Sequence, residues 1–266
     1  MSSEEQQRRP ARAFIGGTVI GTLGGLIGLG GAEFRLPLLL SIFRFAPLEA
    51  IIVNKATSLI VVTSALLFRT KHVPLDAMLS EADVIINLLV GSLVGAWLGA
   101  SWATRMHSTT LYKVIAILLV AIAVVLIFGH DFTASSFPSF QGWLLWIAGV
   151  IAGLAIGIVA SMMGVAGGEL LIPTLVLLFG IEIKLAGSLS LAVSLPTMLI
   201  GFARYSRDRS FAVLAKHKAF VLWIAAGSTV GTFMGAMLLG YISAAVLIPL
   251  LTLILLVSAF KVWRHV

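Results

Sequence analysis

Apolar residues in this chain come in long runs rather than amphipathic stripes. Eight runs read as membrane-spanning helices, at about 14–29, 49–68, 84–104, 111–128, 142–163, 185–203, 219–240 and 244–262. A spanning helix needs roughly 20 residues. Two further runs, Leu36–Phe43 and Leu170–Phe179, are too short to cross. Both follow glycine-rich stretches, and each has a proline near its start, Pro37 or Pro173. The pattern predicts two re-entrant half-helices, beginning near Leu36 and near Ile172. A proline in the first turn loses no helix hydrogen bond. Non-helical backbone at membrane depth is tolerated only where protein or a water-filled cavity satisfies it, so the two half-helices predict a site.

The polar interruptions repeat. Gly28-Leu29-Gly30-Gly31-Ala32-Glu33-Phe34-Arg35-Leu36-Pro37 returns 136 residues later as Gly164-Val165-Ala166-Gly167-Gly168-Glu169-Leu170-Leu171-Ile172-Pro173. The same offset pairs Ala56 and Ser58 with Ala192 and Ser194, and Gly91, Gly95 and Gly99 with Gly227, Gly231 and Gly235. An internal repeat held in register defines the architecture before any single element does. The expected fold is an all-α integral membrane protein of two tandem four-span repeats. Its parts are a cytoplasmic tail (1–12), a first repeat (13–128), a polar linker (129–141), a second repeat (142–262) and a short tail (263–266). Gly91, Gly95 and Gly99 have the spacing of ordinary close helix packing.

Composition agrees: 59% of residues are hydrophobic, 11% are charged, and mean hydropathy is +1.09. Soluble domains carry about a quarter charged residues. The formal charge of +7 lies in loops and tails, which reads as topology rather than nucleic-acid binding. Cysteine is absent and the five histidines lack ligand spacing, so neither a disulfide nor a metal site is expected. No cofactor is implied.

Eight full spans put both termini in the cytoplasm and make the repeats parallel. The loops with Arg69/Lys71 and Arg204–Lys218 then face inward, while Arg105 and Lys113 run against the positive-inside rule. If the half-helices cross, there are ten segments and the repeats become inverted. Arg105 and Lys113 would then face inward. Charge alone does not decide between the two.

Broken helices at matched positions of two repeats point to a transporter's substrate site. A helix start presents free N–H groups and a positive dipole end, which suits an anion. The candidate binding residues are therefore Gly30, Gly31, Gly167 and Gly168 at the breaks. To them are added Asn54, Thr57 and Ser58 on one face of the next span, with Ser190 and Ser194 in the second repeat. Arg35 and Lys55 have Leu171 and Leu191 as repeat mates, so only the first half adds cations. Charges at membrane depth mark function by default. Arg35 and Lys55 are read as a positive wall, and Glu33 and Glu169 as proton-coupling groups.

These features resemble the TauE/SafE sulfite exporter family. The resemblance rests on Gly28–Pro37 with Ala56-Thr57-Ser58-Leu59, and on Gly164–Pro173 with Ala192-Val193-Ser194-Leu195. It extends over about residues 13–262. Ala32 and Ala166 stand where family glycines are expected, and Lys55 where a small or neutral residue is. The resemblance implies export or uptake of sulfite, sulfonates or related sulfur oxyanions across the inner membrane of a prokaryote; a membrane potential negative inside favours export of an anion.

Other classes fit less well. A membrane enzyme needs a nucleophile–base pair or a metal cluster at membrane depth, yet no histidine falls in a predicted span. A channel is separated from a carrier only by transport kinetics. A proton- or cation-coupled carrier of another small anion, and a cation carrier using Glu33 and Glu169, remain alternatives. Lipid and a small anion are the expected partners. Oligomeric state is open, a homodimer among the options.

Overall fold

The computed structural model describes residues 10–27, 31–69, 75–128, 142–238 and 244–264. Tail residues 1–9, Gly30 and the whole 129–141 linker lie outside the described residues. Among the described residues all regular structure is helical. The first half holds α1 (Pro10–Ile27), α2 (Ala32–Ser41), α3 (Pro47–Arg69), α4 (Leu75–Leu79), α5 (Ala82–Ala103) and α6 (Ser108–Phe128). The second holds α7 (Trp143–Met163), α8 (Gly168–Phe179), α9 (Ile183–Tyr205), α10 (Ala212–Lys216), α11 (Lys218–Leu238) and α12 (Ala244–Trp263), with a 3-10 turn at Arg209–Phe211. Starts of α2, α3, α5 and α6 recur 136 residues later as starts of α8, α9, α11 and α12.

The halves are interwoven. α1 packs along α11, and α5 along α7. Glycines make both seams. A methyl group on Gly21 would lie 2.3 Å from the carbonyl oxygen of Ser228, and one on Gly91 would lie 2.0 Å from that of Val150. Backbones approach this closely only where side chains are missing. Gly91, Gly95 and Gly99 meet successive turns of α7, at Val150, Leu154 and Ile158, so they act as packing residues.

Helix directions follow from these contacts. Gly17, Gly21 and Gly25 face Ile224, Ser228 and Thr232 in turn, so α1 and α11 run parallel, as do α5 and α7. Ser92 bonds Thr197 and Ser101 bonds Arg204, which makes α5 and α9 parallel. α3 and α9, which are repeat mates, run antiparallel. Lys55, early in α3, meets Gly201, late in α9. Leu66, late in α3, clusters with Leu185, Ala186 and Leu189 at the start of α9.

The repeats are therefore inverted, not parallel. The parallel expectation assumed that a half-helix too short to cross adds no reversal. It does add one: α2 and α8 each fold back along the helix before them. α3 then starts from the end of the bundle where α1 started.

Lengths also qualify the expected eight spans. Eight described helices have 18 to 23 residues. Among the described residues, four stretches are long and apolar enough to cross a membrane: Pro47–Leu66, Ala82–Ala103, Trp143–Met163 and Leu185–Tyr205. A fifth is the pair Arg209–Lys216 and Lys218–Gly235, bent by 74°.

Inversion sorts the charges. The starts of α1, α3, α6 and α11 and the ends of α5 and α9 share one end of the bundle. This end carries Arg12, Arg44, Arg105, Lys113, Arg204, Arg207, Arg209, Lys216 and Lys218, against Glu49 and Asp208. Among the described residues the other end carries Asp76, Glu81, Asp83 and Glu182, and the helix ends there include Arg69 and Lys184 in the sequence.

Replacing Gly91 by Leu places a side chain against α7 backbone that cannot move aside. It is expected to destabilise the protein by about 1–3 kcal/mol or more, read as a lower melting temperature of the purified protein. Val94→Leu, at an exposed position of the same helix, is expected to leave the melting temperature unchanged.

Candidate functional site

The centre of the bundle is built from two helical hairpins. In the first, α2 folds back along α1: Gly31 packs on Ile20 and Gly24, and Leu38 reaches Gly16. In the second, α8 folds back along α7: Gly167 packs on Ile156 and Ala160, and Phe179 reaches Gly149. Gly31 and Gly167 take φ of 70° and 82°, a left-handed turn that favours glycine. Each helix begins on the next residue. The half-helices therefore start at Ala32 and Gly168, four residues before the expected Leu36 and Ile172. Pro37 and Pro173 lie inside them. A proline there removes only the bond to the carbonyl four residues back, which is that of Glu33 or Glu169.

The hairpins open toward opposite ends and their tips meet inside the protein. Residues 31–37 and 160–169 are all buried. Asn54 of α3 holds both tips. Its Nδ2 donates to the carbonyl of Ala32 at 2.9 Å and to that of Met163 at 3.1 Å. Its Oδ1 accepts from Arg35 Nε at 2.8 Å. One side chain thus joins the first tip, the second tip and the first-half arginine.

Arg35 is fully buried and its donors are taken by neutral groups. Nη1 donates to Ser228 Oγ at 3.1 Å, and Nη2 to Ser58 Oγ and, at 3.5 Å, to the Asn54 carbonyl. It ties α2, α3 and α11 together. In the second half Ser194 Oγ donates to the Ala166 carbonyl at 2.8 Å and steadies that tip. Thr57 and Ser190 donate back to their own helices, at Val53 and Gly187.

Two polar clusters have unmet hydrogen-bonding capacity. The Glu33 carboxyl faces that of Glu169. Apart from each other, these carboxyls leave both Glu33 oxygens and Glu169 Oε2 without a side-chain partner. Each glutamate is the second residue of a half-helix, at its positive dipole end. Lys55 lies on another face of α3, 1% exposed, and its Nζ has no hydrogen-bond partner. Across from it are Gly201 and the Ser161 hydroxyl, which is also unpartnered.

The structure thus gathers Gly31, Arg35, Asn54, Ser58, Gly167, Gly168 and Ser194 around the tips, brings Glu33 against Glu169, and sets Lys55 apart. Spacing in the sequence gives no sign of Ser161, Gly201 or Ser228, whose roles come from the helices that face them. Among the described residues no group of His, Cys, Asp and Glu could hold a metal ion.

Removing the Asn54 amide breaks three hydrogen bonds at once, including both tip contacts. Asn54→Ala is expected to destabilise the protein by about 1 kcal/mol per bond lost. Thermal denaturation of the purified variant measures this.

A family model described as "Sulfite exporter TauE/SafE" matches residues 13–263. No curated protein and no solved structure matches the chain at a significant level. The match spans both hairpins and nearly the whole bundle around them, and that family is one of transporters for sulfite- and sulfonate-type anions. With the paired tips and buried charges at its centre, this multi-pass membrane chain belongs to the sulfite exporter TauE/SafE family.

Proposed function

We propose that the chain is a secondary carrier of small sulfur oxyanions, sulfite or sulfonates, and that it exposes one central site alternately to the two sides of the membrane. The observation that supports this most is the Lys55 ammonium, buried and without a hydrogen-bond partner beside the second hairpin tip. A buried cation left unpaired is strongly disfavoured, and an anionic substrate would supply the missing charge. Arg35, its donors held by Asn54, Ser58 and Ser228, shapes the positive field rather than the contact surface. Gly31 and Gly167 make the close backbone contacts of the two hairpin tips.

In this reading the eight long helices are the membrane framework and the half-helices are its moving or opening parts. Inverted repeats with broken helices at midplane are the form in which rocking of one element against another changes access. The basic end of the bundle faces the cytoplasm, by the positive-inside rule. The start of α1 and the end of α12 then lie inside. A potential that is negative inside favours exit of an anion by about 2.3 kcal/mol per charge per 100 mV, so export needs no ATP. The sequence has no Walker-type phosphate loop.

Glu33 and Glu169 supply the coupling. Two carboxyls facing each other away from water repel unless a proton lies between them. Taking or releasing that proton would change the charge of the core as the anion binds.

The test is thermal shift and proteoliposome transport with sulfite and short sulfonates at two pH values. A ligand that binds the folded form raises its apparent stability. Stabilisation and saturable counterflow with an oxyanion are expected, with transport lost in Lys55→Met. Glu33→Gln and Glu169→Gln are each expected to flatten the pH dependence of transport. Stabilisation by Na⁺ or a divalent cation, with none by any oxyanion, overturns the reading and makes the two glutamates cation ligands. Conduction without saturation makes the protein a channel.

A further inference from the structure

The two halves differ most sharply at one place. Lys55 Nζ and Ser161 Oγ converge on Gly201 from α3 and α7. A Cβ built on Gly201 would lie 2.9 Å from Lys55 Nζ and 2.6 Å from Ser161 Oγ. Both side chains are buried, and neither polar atom has a hydrogen-bond partner.

The backbone around them is firmly held. The Ser161 carbonyl accepts from the Tyr205 hydroxyl at 2.9 Å and from the Gly164 N–H at 3.2 Å. Gly164, at φ 68°, packs its backbone against the Ile51 carbonyl and the Lys55 N–H. The framework is thus saturated with hydrogen bonds while the two side-chain heads it presents are left open. Unmet buried polar groups are rare in native proteins. Two of them aimed at the same glycine point to a ligand.

Repeat symmetry separates a structural need from a functional one. The 136-residue offset pairs Lys55 with Leu191, Ser161 with Gly25 and Gly201 with Ala65. The second copy of this place therefore has no cation, no hydroxyl and an added methyl. The tip glycines, the glutamates and the prolines, by contrast, recur in both halves. Lys55, Ser161 and Gly201, one from the first half and two from the second, are all replaced at their mate positions.

We propose that Lys55, Ser161 and Gly201 form the single anion subsite of the carrier, resting on the transport reading above. It takes a monoanion with three acceptor oxygens on one atom, a sulfonate or hydrogen sulfite. The ammonium donates to one or two of its oxygens, and the Ser161 hydroxyl to another. Gly201 lets both heads pack directly against backbone, where any side chain would displace them. Ser161 is the specificity-determining residue, because a hydroxyl at that position favours a ligand with several acceptors over a simple halide.

The experiment uses the full chain in proteoliposomes, with sulfite and methanesulfonate as probes and chloride as competitor. Ser161→Ala is expected to raise KM for both oxyanions about tenfold, the scale of one hydrogen bond to a charged group. Maximal rate and the melting temperature of the unliganded protein are expected to hold, since that hydroxyl bonds nothing in the protein. Ser161→Thr is expected to keep the wild-type KM. Gly201→Ala is expected to block oxyanion binding, while Ala65→Gly at the mate position leaves it unchanged. If Gly201→Ala does not fold, Ser161→Ala decides alone. Wild-type KM values in Ser161→Ala overturn the subsite while the carrier stands. Absence of oxyanion binding by the wild-type chain overturns the carrier reading itself, and the subsite with it.

Discussion

Everything at the centre of this protein depends on one constraint: broken backbone inside an apolar bundle must have its polar groups met by protein. Two helices stop short and reverse, and each reversal frees N–H and carbonyl groups where water is scarce. Asn54 resolves much of this at once. Its amide spans the gap between the two tips, and its oxygen receives the arginine that bonds α3 and α11. The tips are held to each other through one residue of one half. A region so dependent on a single amide is poised between order and rearrangement, which is what a carrier's central element requires.

The seams around that centre work differently. Where α1 meets α11 and α5 meets α7, contact is backbone on backbone, through glycines, with little hydrogen bonding between side chains. Such contact is dispersion-driven and geometrically exacting. It gives the bundle a rigid frame against which softer polar contacts at the tips can change. The frame is common to both halves. The polar contacts are not, since Asn54, Arg35 and Lys55 have Ser190, Leu171 and Leu191 as mates.

Much of this was legible in the residues. The repeat, its 136-residue register, the two half-helices and the packing glycines followed from spacing, and the family from the paired glycine–proline segments. Helix direction was not legible. Length suggested that a run of eight apolar residues adds no reversal, but a hairpin whose tip stops at the centre needs only half a crossing. The helix starts were misplaced because proline was read as a first-turn residue, when the left-handed glycine before it was the true start signal. Arg35 and Lys55 looked alike as buried cations. Only packing distinguishes a guanidinium hydrogen-bonded through all three of its nitrogens from an ammonium with no hydrogen-bond partner. Ser161 and Gly201 carry no local signal, because their meaning lies in which helix faces them.

The glycine seam between α1 and α11 also bears on how the chain is made. α1 has as its main packing partner α11, about two hundred residues later in the chain. Until α11 arrives, α1 is a helix weakened by its own glycines and without the surface that those glycines exist to fit. The half that is synthesised first cannot close on itself. The seam therefore forms only once α11 has been made, with α1 waiting in the bilayer until then.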